Sequence, residues 1–353
     1  MAFILNSSKD EYLNNIEMAK TLIQSFYQSF DQCKPDQMLN VMNEYCHPGY
    51  SWRGCHPFNE IESTEQLCEQ LWKPLRYALT RIQRRQDILI AGVNSLSNDD
   101  DSSVWVCSMG HLMGLFDHPW LNIPPTGKIA FMRYCEFHQV RDGKICHTAM
   151  FFDIPQLMVQ AGVNPFPPQT GSDQIQPGPM THQGILLEKQ DPAISKKTLD
   201  TCNKMIECLG NWDSKLTLEE ELAITWHDDM IWWGPTGIGA TYTIERYAKQ
   251  HAGPFREAFT DRIFHGHVCR FAEGYLGGWF GWPNLTLTPK GGFNGMPSSN
   301  KPCDMRVIDI YRRDGDKLAE NWVFIDMLHF WNQQGLDVLG RLEKLRPKNM
   351  VNS

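Results

Sequence analysis

The sequence predicts an α+β protein made of two tandem copies of one module, and three observations carry that expectation. The chain repeats itself: Met132-Arg133 and Glu136 stand over Met305-Arg306 and Asp309, and Phe151 to Asp153 over Phe324 to Asp326, at a constant separation of 173 residues. A stretch from Val163 to Gly184 carries Pro165, Pro167, Pro168, Pro177 and Pro179 among Gly, Gln and Ser, a composition that resists helix and sheet alike. Within each copy, helix-period segments come first and strand-like segments after, an order that fits an α+β layering and not alternating β and α units.

The elements follow in the same order in both copies. Apolar residues at helical spacing predict helices over 11–29 and 196–209, and a second helical stretch over 64–79 and 244–259. His47 to Gly54 aligns with His227 to Gly234, and Pro74 and Arg76 with Pro254 and Arg256, here at a separation of 180. Strands are predicted over 87–93, 104–116, 129–140 and 144–153, with Asp142-Gly143 and Asp314-Gly315 as hairpin turns before the last strand. Phe116 to Pro119 is aligned with Phe280 to Pro283, which makes Asn98 to Ser103 an extra hairpin tip in copy one and Pro289 to Ser299 extra loop in copy two. The expected units are 1–165 and 196–353, joined by a linker at 166–195.

Composition narrows the classes of function. With 42% hydrophobic and 21% charged residues the chain is globular, and 353 residues suit two domains of ordinary size. A net charge of −8 with scattered Lys and Arg disfavours nucleic acid, and Arg81, Arg84 and Arg85, the one dense basic spot, read as a solvated strand edge. No run is apolar enough to span a membrane, and Met1 to Ser8 lacks a basic flank and a cleavage site, so the expected location is cytoplasmic. The eleven cysteines, without a Cys-x-x-Cys pair, then read as buried reduced thiols.

A helix, His-x4-Trp-x-Gly, a helix, long strands, Ile123-Pro124-Pro125-Thr126-Gly127, Asp-Gly-Lys, a strand ending in Asp, and Gln-x-Gly together resemble the SnoaL-like polyketide cyclases of the nuclear-transport-factor-2-like superfamily. The resemblance covers both halves and implies tandem cones, each a curved mixed or antiparallel sheet wrapped over N-terminal helices around a pocket. It also implies cofactor-independent, metal-free acid/base chemistry, with an aspartate near the end of the sheet closing a ring by aldol addition. That role falls here on Asp326 and Asp153.

Strand alternation places Glu320, Trp322, Phe324 and Asp326 on one face, and His147, Ala149, Phe151 and Asp153 on the matching face. If that face lines the cone, apolar neighbours raise the carboxylate pKa toward neutrality, as a general acid/base needs. A second reading stands beside it: each aspartate caps the helix that follows. His47, Trp52, His227, Trp232 and Trp233 are candidate ligand contacts, although a lone His at a helix end is more often a structural cap, the reading preferred for His47 and His227, and a Trp is more often core. Glu136 and Asp309 are equivalent carboxylates amid apolar residues, to be paired or turned into the pocket, with Arg133 and Arg306 on the opposite face of the strand. His265-Gly266-His267 offers two imidazoles without a third ligand at metal spacing, so a polar strand is preferred to a metal site.

These residues predict an enzyme of the cyclase type acting on a small, apolar, carbonyl-bearing molecule, the alternative being a non-catalytic small-molecule binder. The expected partner is that small molecule. The two halves are expected to pack as an internal pseudo-dimer, with homo-oligomers open.

Overall fold

The computed structural model describes residues 2–96, 103–212 and 214–345, with side chains from residue 13 to residue 344. Most of the expected hairpin tip at 98–103 lies outside the described residues. The first unit runs α1 (Ala2–Gln32), α2 (Met38–Tyr45), β1 (Cys46–Gly54), β2 (Glu60–Ile61), α3 (Thr64–Leu67), α4 (Lys73–Ala78), β3 (Leu79–Val93), β4 (Val104–Phe116), β5 (Ile129–Arg141), β6 (Lys144–Phe152) and α5 (Ile154–Gln160). The second runs α6 (Pro192–Gly210), α7 (Leu218–Ala223), β7 (Trp226–Trp233), β8 (Ala240–Tyr242), α8 (Ile244–Tyr247), α9 (Gly253–Ala258), β9 (Phe259–Phe264), β10 (Cys269–Glu273), β11 (Leu276–Pro289), β12 (Cys303–Asp314), β13 (Lys317–Ile325), α10 (Met327–Gln333) and α11 (Val338–Leu345). A π-turn joins α3 to α4 and another joins α8 to α9, at Cys68–Trp72 and Ala248–Ala252, so the repeat extends to an irregularity of the helix.

Each sheet is curved and mixed, in the α+β cone arrangement that the resemblance implies. The strand orders are β2-β1-β6-β5-β4-β3 and β10-β11-β12-β13-β7-β8, with β9 also paired to β11. The parallel pairs β1–β6 and β7–β13 hold the strand after the first helices against the last strand, and the other neighbours are antiparallel. The loops before α3, α7 and α8 supply Ser63, Thr217 and Thr243 as caps that accept backbone N–H bonds.

Strand register corrects two expectations. Phe280 pairs with Ile308, whose counterpart Cys135 pairs with Met109, so Phe280 stands where Met109 stands and not where Phe116 does. The offset changes within β11, whose register shifts between Gly281 and Leu285; Trp282-Pro283 occupies that bulge. The hairpin turns are Asp142-Gly143 and Gly315-Asp316, with left-handed φ at Asp142 (52°), Gly143 (69°) and Gly315 (55°); Asp314 remains in the strand.

The two sheets also meet. One apolar cluster combines Ile88, Trp105, Phe137, Ala149 and Phe151 of the first unit with Trp233, Phe271, Phe280, Trp322 and Phe324 of the second. Arg133 crosses this contact, donating to Trp233 O at 3.1 Å and to Val323 O, its guanidinium 4.1 Å from the Phe324 ring centroid. The segment between α5 and α6 contains neither helix nor long strand, yet it is anchored: Phe166 packs on Trp331, Gly171 N–H donates to Ile238 O, and Pro177 O accepts from Trp322 Nε1 at 2.9 Å. Both faces of the central strands are therefore buried, one against the unit's own helices and the other against its neighbour.

Candidate functional site

The second cone encloses a cavity of about 330 Å³. Its floor is β12 and β13, which turn Val307, Asp309 and Tyr311, and Asn321, Val323 and Ile325, inward by alternation. Trp226 and Trp232 of β7, Tyr247 of α8, His251 of the π-turn, Phe255 of α9 and Trp279 of β11 form its aromatic walls.

The shape of this wall is set by a short motif. Trp232 folds its ring back over Gly234, where an added Cβ would come within 1.8 Å of the ring, and Trp52 does the same over Gly54 at 1.9 Å. Only a glycine two residues on leaves room for the indole, which accounts for Trp-x-Gly in both copies. Trp232 then stacks on His251 with ring centroids 4.1 Å apart.

Asp309 is buried, and burial pushes its carboxyl up to about 7, against the pull of hydrogen bonds from Asn321 and Tyr311. Asn321 Nδ2 donates to its Oδ1 at 2.9 Å. Burial likewise lowers His251 to about 3, so this imidazole is neutral at physiological pH. His251 Nδ1 and Trp226 Nε1 are buried without a protein hydrogen-bond partner. The arrangement offers a carboxyl poised to gain or lose a proton, a fixed carboxamide beside it, and apolar surroundings.

The equivalent place in the first cone is filled from within. Glu136 pairs with Arg84 at 2.6 Å, accepts from Tyr27 Oη at 2.6 Å, and is held at about 2, Arg84 being the chief influence against burial. The Arg84 guanidinium lies 4.0 Å from the Tyr27 ring centroid and 5.0 Å from that of Tyr134. The reading of Arg84 as a solvated strand edge is thus corrected: its side chain is 4% exposed, whereas Arg81 and Arg85 are exposed. It turns inward because β3 begins at Leu79, eight residues ahead of the strand expected at Asp87, and curls over the helices.

Several expected site residues lie elsewhere. Asp326 caps α10 through His329 N–H at 3.1 Å and accepts His56 N–H of the first unit at 2.9 Å, with Arg306 at 3.3 Å. Asp153 caps α5 through Gln156 N–H at 3.2 Å and accepts Thr236 N–H of the second unit at 2.8 Å. Neither lines the cavity, since the face carrying Glu320, Trp322 and Phe324 packs on the other sheet. Glu320 pairs with Arg312 and accepts Met180 N–H at 3.2 Å. Trp233 belongs to the contact between sheets, and Trp52 to the first unit's core.

The expected histidines also disperse. His47 and His227 fall within strands, not at helix ends: His47 Nδ1 accepts Gly49 N–H at 3.0 Å, and His227 Nε2 lies 2.8 Å from Asp314 O. His147 Nδ1 bonds Ser51 Oγ at 2.8 Å. Among the proposed residues the cavity brings together Asp309 and Trp232, and it adds Trp226, Tyr247, His251, Tyr311 and Asn321, which sequence reasoning missed. Tyr311 was within reach, two residues past Asp309 on one strand face. His265 and His267 do not converge: His265 Nε2 bonds Thr286 Oγ1 at 2.6 Å, while His267 stacks on Trp279 at 3.8 Å. Among the described residues no group of three or more His, Cys, Asp or Glu side chains could hold a metal ion.

Fold and site together define an α+β cone with an inward carboxyl in its second unit. A family model described as SnoaL-like polyketide cyclase matches residues 284–334, the stretch that carries Asp309 and Asn321. The resemblance read from the sequence motifs is met in that stretch. No curated protein matches the chain.

Among solved structures, a protein of Jannaschia sp. CCS1 provisionally described as a SnoaL-like polyketide cyclase is 21% identical, covering 43% of this chain and 94% of its own, with a TM-score of 0.30. One of the same provisional description from Shewanella denitrificans OS-217 is 16% identical over 41% of this chain and 98% of its own, TM-score 0.34. An NTF2-like protein of Burkholderia xenovorans LB400 is 14% identical over 39% and 95%, TM-score 0.32. Among the described residues, no helix is long and apolar enough to cross a membrane.

Proposed function

We propose that the second unit is an acid/base catalyst for a small, mostly apolar, carbonyl-bearing molecule, with Asp309 as the group that moves the proton. The observation that carries this reading is the placement of a buried carboxyl, raised to about 7, on the floor of an aromatic cavity. A group that titrates near the working pH is deprotonated often enough to accept a proton and acidic enough to return it. Asn321 holds one carboxylate oxygen at 2.9 Å, and Tyr311 hydrogen-bonds the carboxyl as well. Trp226 and the neutral His251 ring add flat apolar surface against which the ligand would lie.

In this reading the proton next to a carbonyl passes to Asp309, and the resulting enolate carbon either adds to a second carbonyl of the same molecule, whose oxygen takes the proton back from Asp309, or is itself reprotonated by Asp309. The first unit acts as a partner in folding, its carboxylate held by Arg84, and the two units form an internal pseudo-dimer. Asp326 and Asp153 serve as caps and as clamps between the units.

Deuterium uptake in heavy water from a panel of β-keto compounds tests this directly. Wild type should exchange the activated carbon position, Asp309→Asn should lose about 10²-fold or more of that rate, and Asp326→Asn should keep it in the folded fraction. Binding of a β-keto compound with no exchange above buffer would leave a binding protein and sink the catalytic assignment.

A further inference from the structure

The first unit shows what the second cone lacks. In both, a carboxylate stands at the same place on the strand before the last, and in the first it is met by the Arg84 guanidinium lying against Tyr27 and Tyr134. Arg84 pairs with Leu112, which pairs with Met132; in the second unit Phe264 pairs with Leu285, which pairs with Met305. Phe264 is therefore the counterpart of Arg84, and it lies at the cavity edge, 49% exposed, instead of filling the cone.

Rings remain around the carboxyl. Tyr247 and Tyr311 are close enough to feel the charge of Asp309, and Trp279 is its cross-strand neighbour. The cavity's own cations are engaged elsewhere: Arg256 pairs with Glu221 at 2.5 Å, and Arg262 donates to Gly210 O and lies 4.6 Å from the Trp212 ring centroid. The donor beside Asp309 is the Asn321 carboxamide, where Glu136 has the Arg84 guanidinium.

We infer that the second cavity takes a ligand bearing a compact cationic nitrogen group, guanidinium or alkylammonium, which sits against Asp309 and the surrounding rings as the Arg84 guanidinium sits against Glu136. A cation there would gain both the carboxylate and the ring faces in a site shielded from water. This rests on the reading of the cavity as a ligand site and not on its catalytic role.

The probes are phenethylguanidinium, its neutral isostere phenethylurea, and 3-phenylpropanoate, with binding measured by calorimetry on the full chain. Wild type should bind the guanidinium at least about tenfold tighter than the urea. Asp309→Asn should erase that preference while the urea still binds, and Phe264→Arg, which supplies the first unit's plug, should abolish guanidinium binding in a protein with a native circular dichroism spectrum. Equal or tighter binding of the urea or the carboxylate, or binding of none of the three, overturns the inference. Exchange of β-keto compounds without a cation preference would separate the two claims, removing this one and retaining proton transfer by Asp309.

Discussion

Glu136 and Asp309 hold the same place in the two units, yet Glu136 faces a guanidinium, Arg84 Nη1 at 2.6 Å, and Asp309 faces a carboxamide, Asn321 Nδ2 at 2.9 Å. That one difference in partner separates a filled cone from an open one. Breaking the first pair leaves a charge buried with no counter-ion, because both side chains are almost fully enclosed. Arg84→Met is expected to destabilise the protein by about 3–5 kcal/mol, read from the denaturant midpoint, whereas Asp309→Asn should cost little.

The two carboxyls should give opposite dependence on pH. Asp309, raised to about 7, binds its proton more tightly folded than unfolded, so its contribution is complete below the unfolded carboxyl range near ~4 and is lost as pH rises to about 7. Glu136, lowered to about 2, contributes above the unfolded range and loses that contribution as pH falls toward 2. Melting temperatures of Asp309→Asn and wild type should diverge from pH 5 to pH 8 in favour of the variant. A constant difference across that range would mean that Asp309 is ionised throughout.

Asp326 accepts backbone N–H groups from α10 and from the first unit as well as a contact from Arg306. Asp326→Ala should therefore cost about 2 kcal/mol or more and weaken the joint between units, while proton exchange per folded molecule stays near wild type. Loss of exchange with unchanged stability would return Asp326 to a chemical role.

Gly234 leaves the space that the Trp232 ring occupies, and a Cβ there would overlap the ring. Gly234→Ala should displace Trp232 from His251, costing about 1–3 kcal/mol and lowering ligand affinity in the second cavity. Gly54→Ala should cost a similar amount in stability with affinity unchanged, because Trp52 packs in a cone that Arg84 fills. Calorimetric titration of both variants distinguishes the two outcomes.

Much of the fold was legible because the repeat, the helical and strand periods and the cap residues are local properties. Asp153 and Asp326 precede helices in the sequence and cap them in the structure, as one of the two readings held. The Trp-x-Gly motif was visible, although its cause, an indole folded over a missing Cβ, needed coordinates. His251 gave no signal, since its place on the cavity wall depends on how the π-turn rotates the helix over the sheet.

The sequence by itself determined that the chain is built twice, that each copy puts helices before strands, and that carboxylates recur 173 residues apart. The tertiary structure decided which face of the last strand turns to the cavity. Alternation defines two faces, and burial ordinarily marks the inner one; here both are buried, because the sheets pack on each other through Trp322 and Phe324 while Asn321 and Val323 face the cavity. Where water touches neither side of a strand, polarity no longer labels its faces, and only the packing of one unit on the other assigns them.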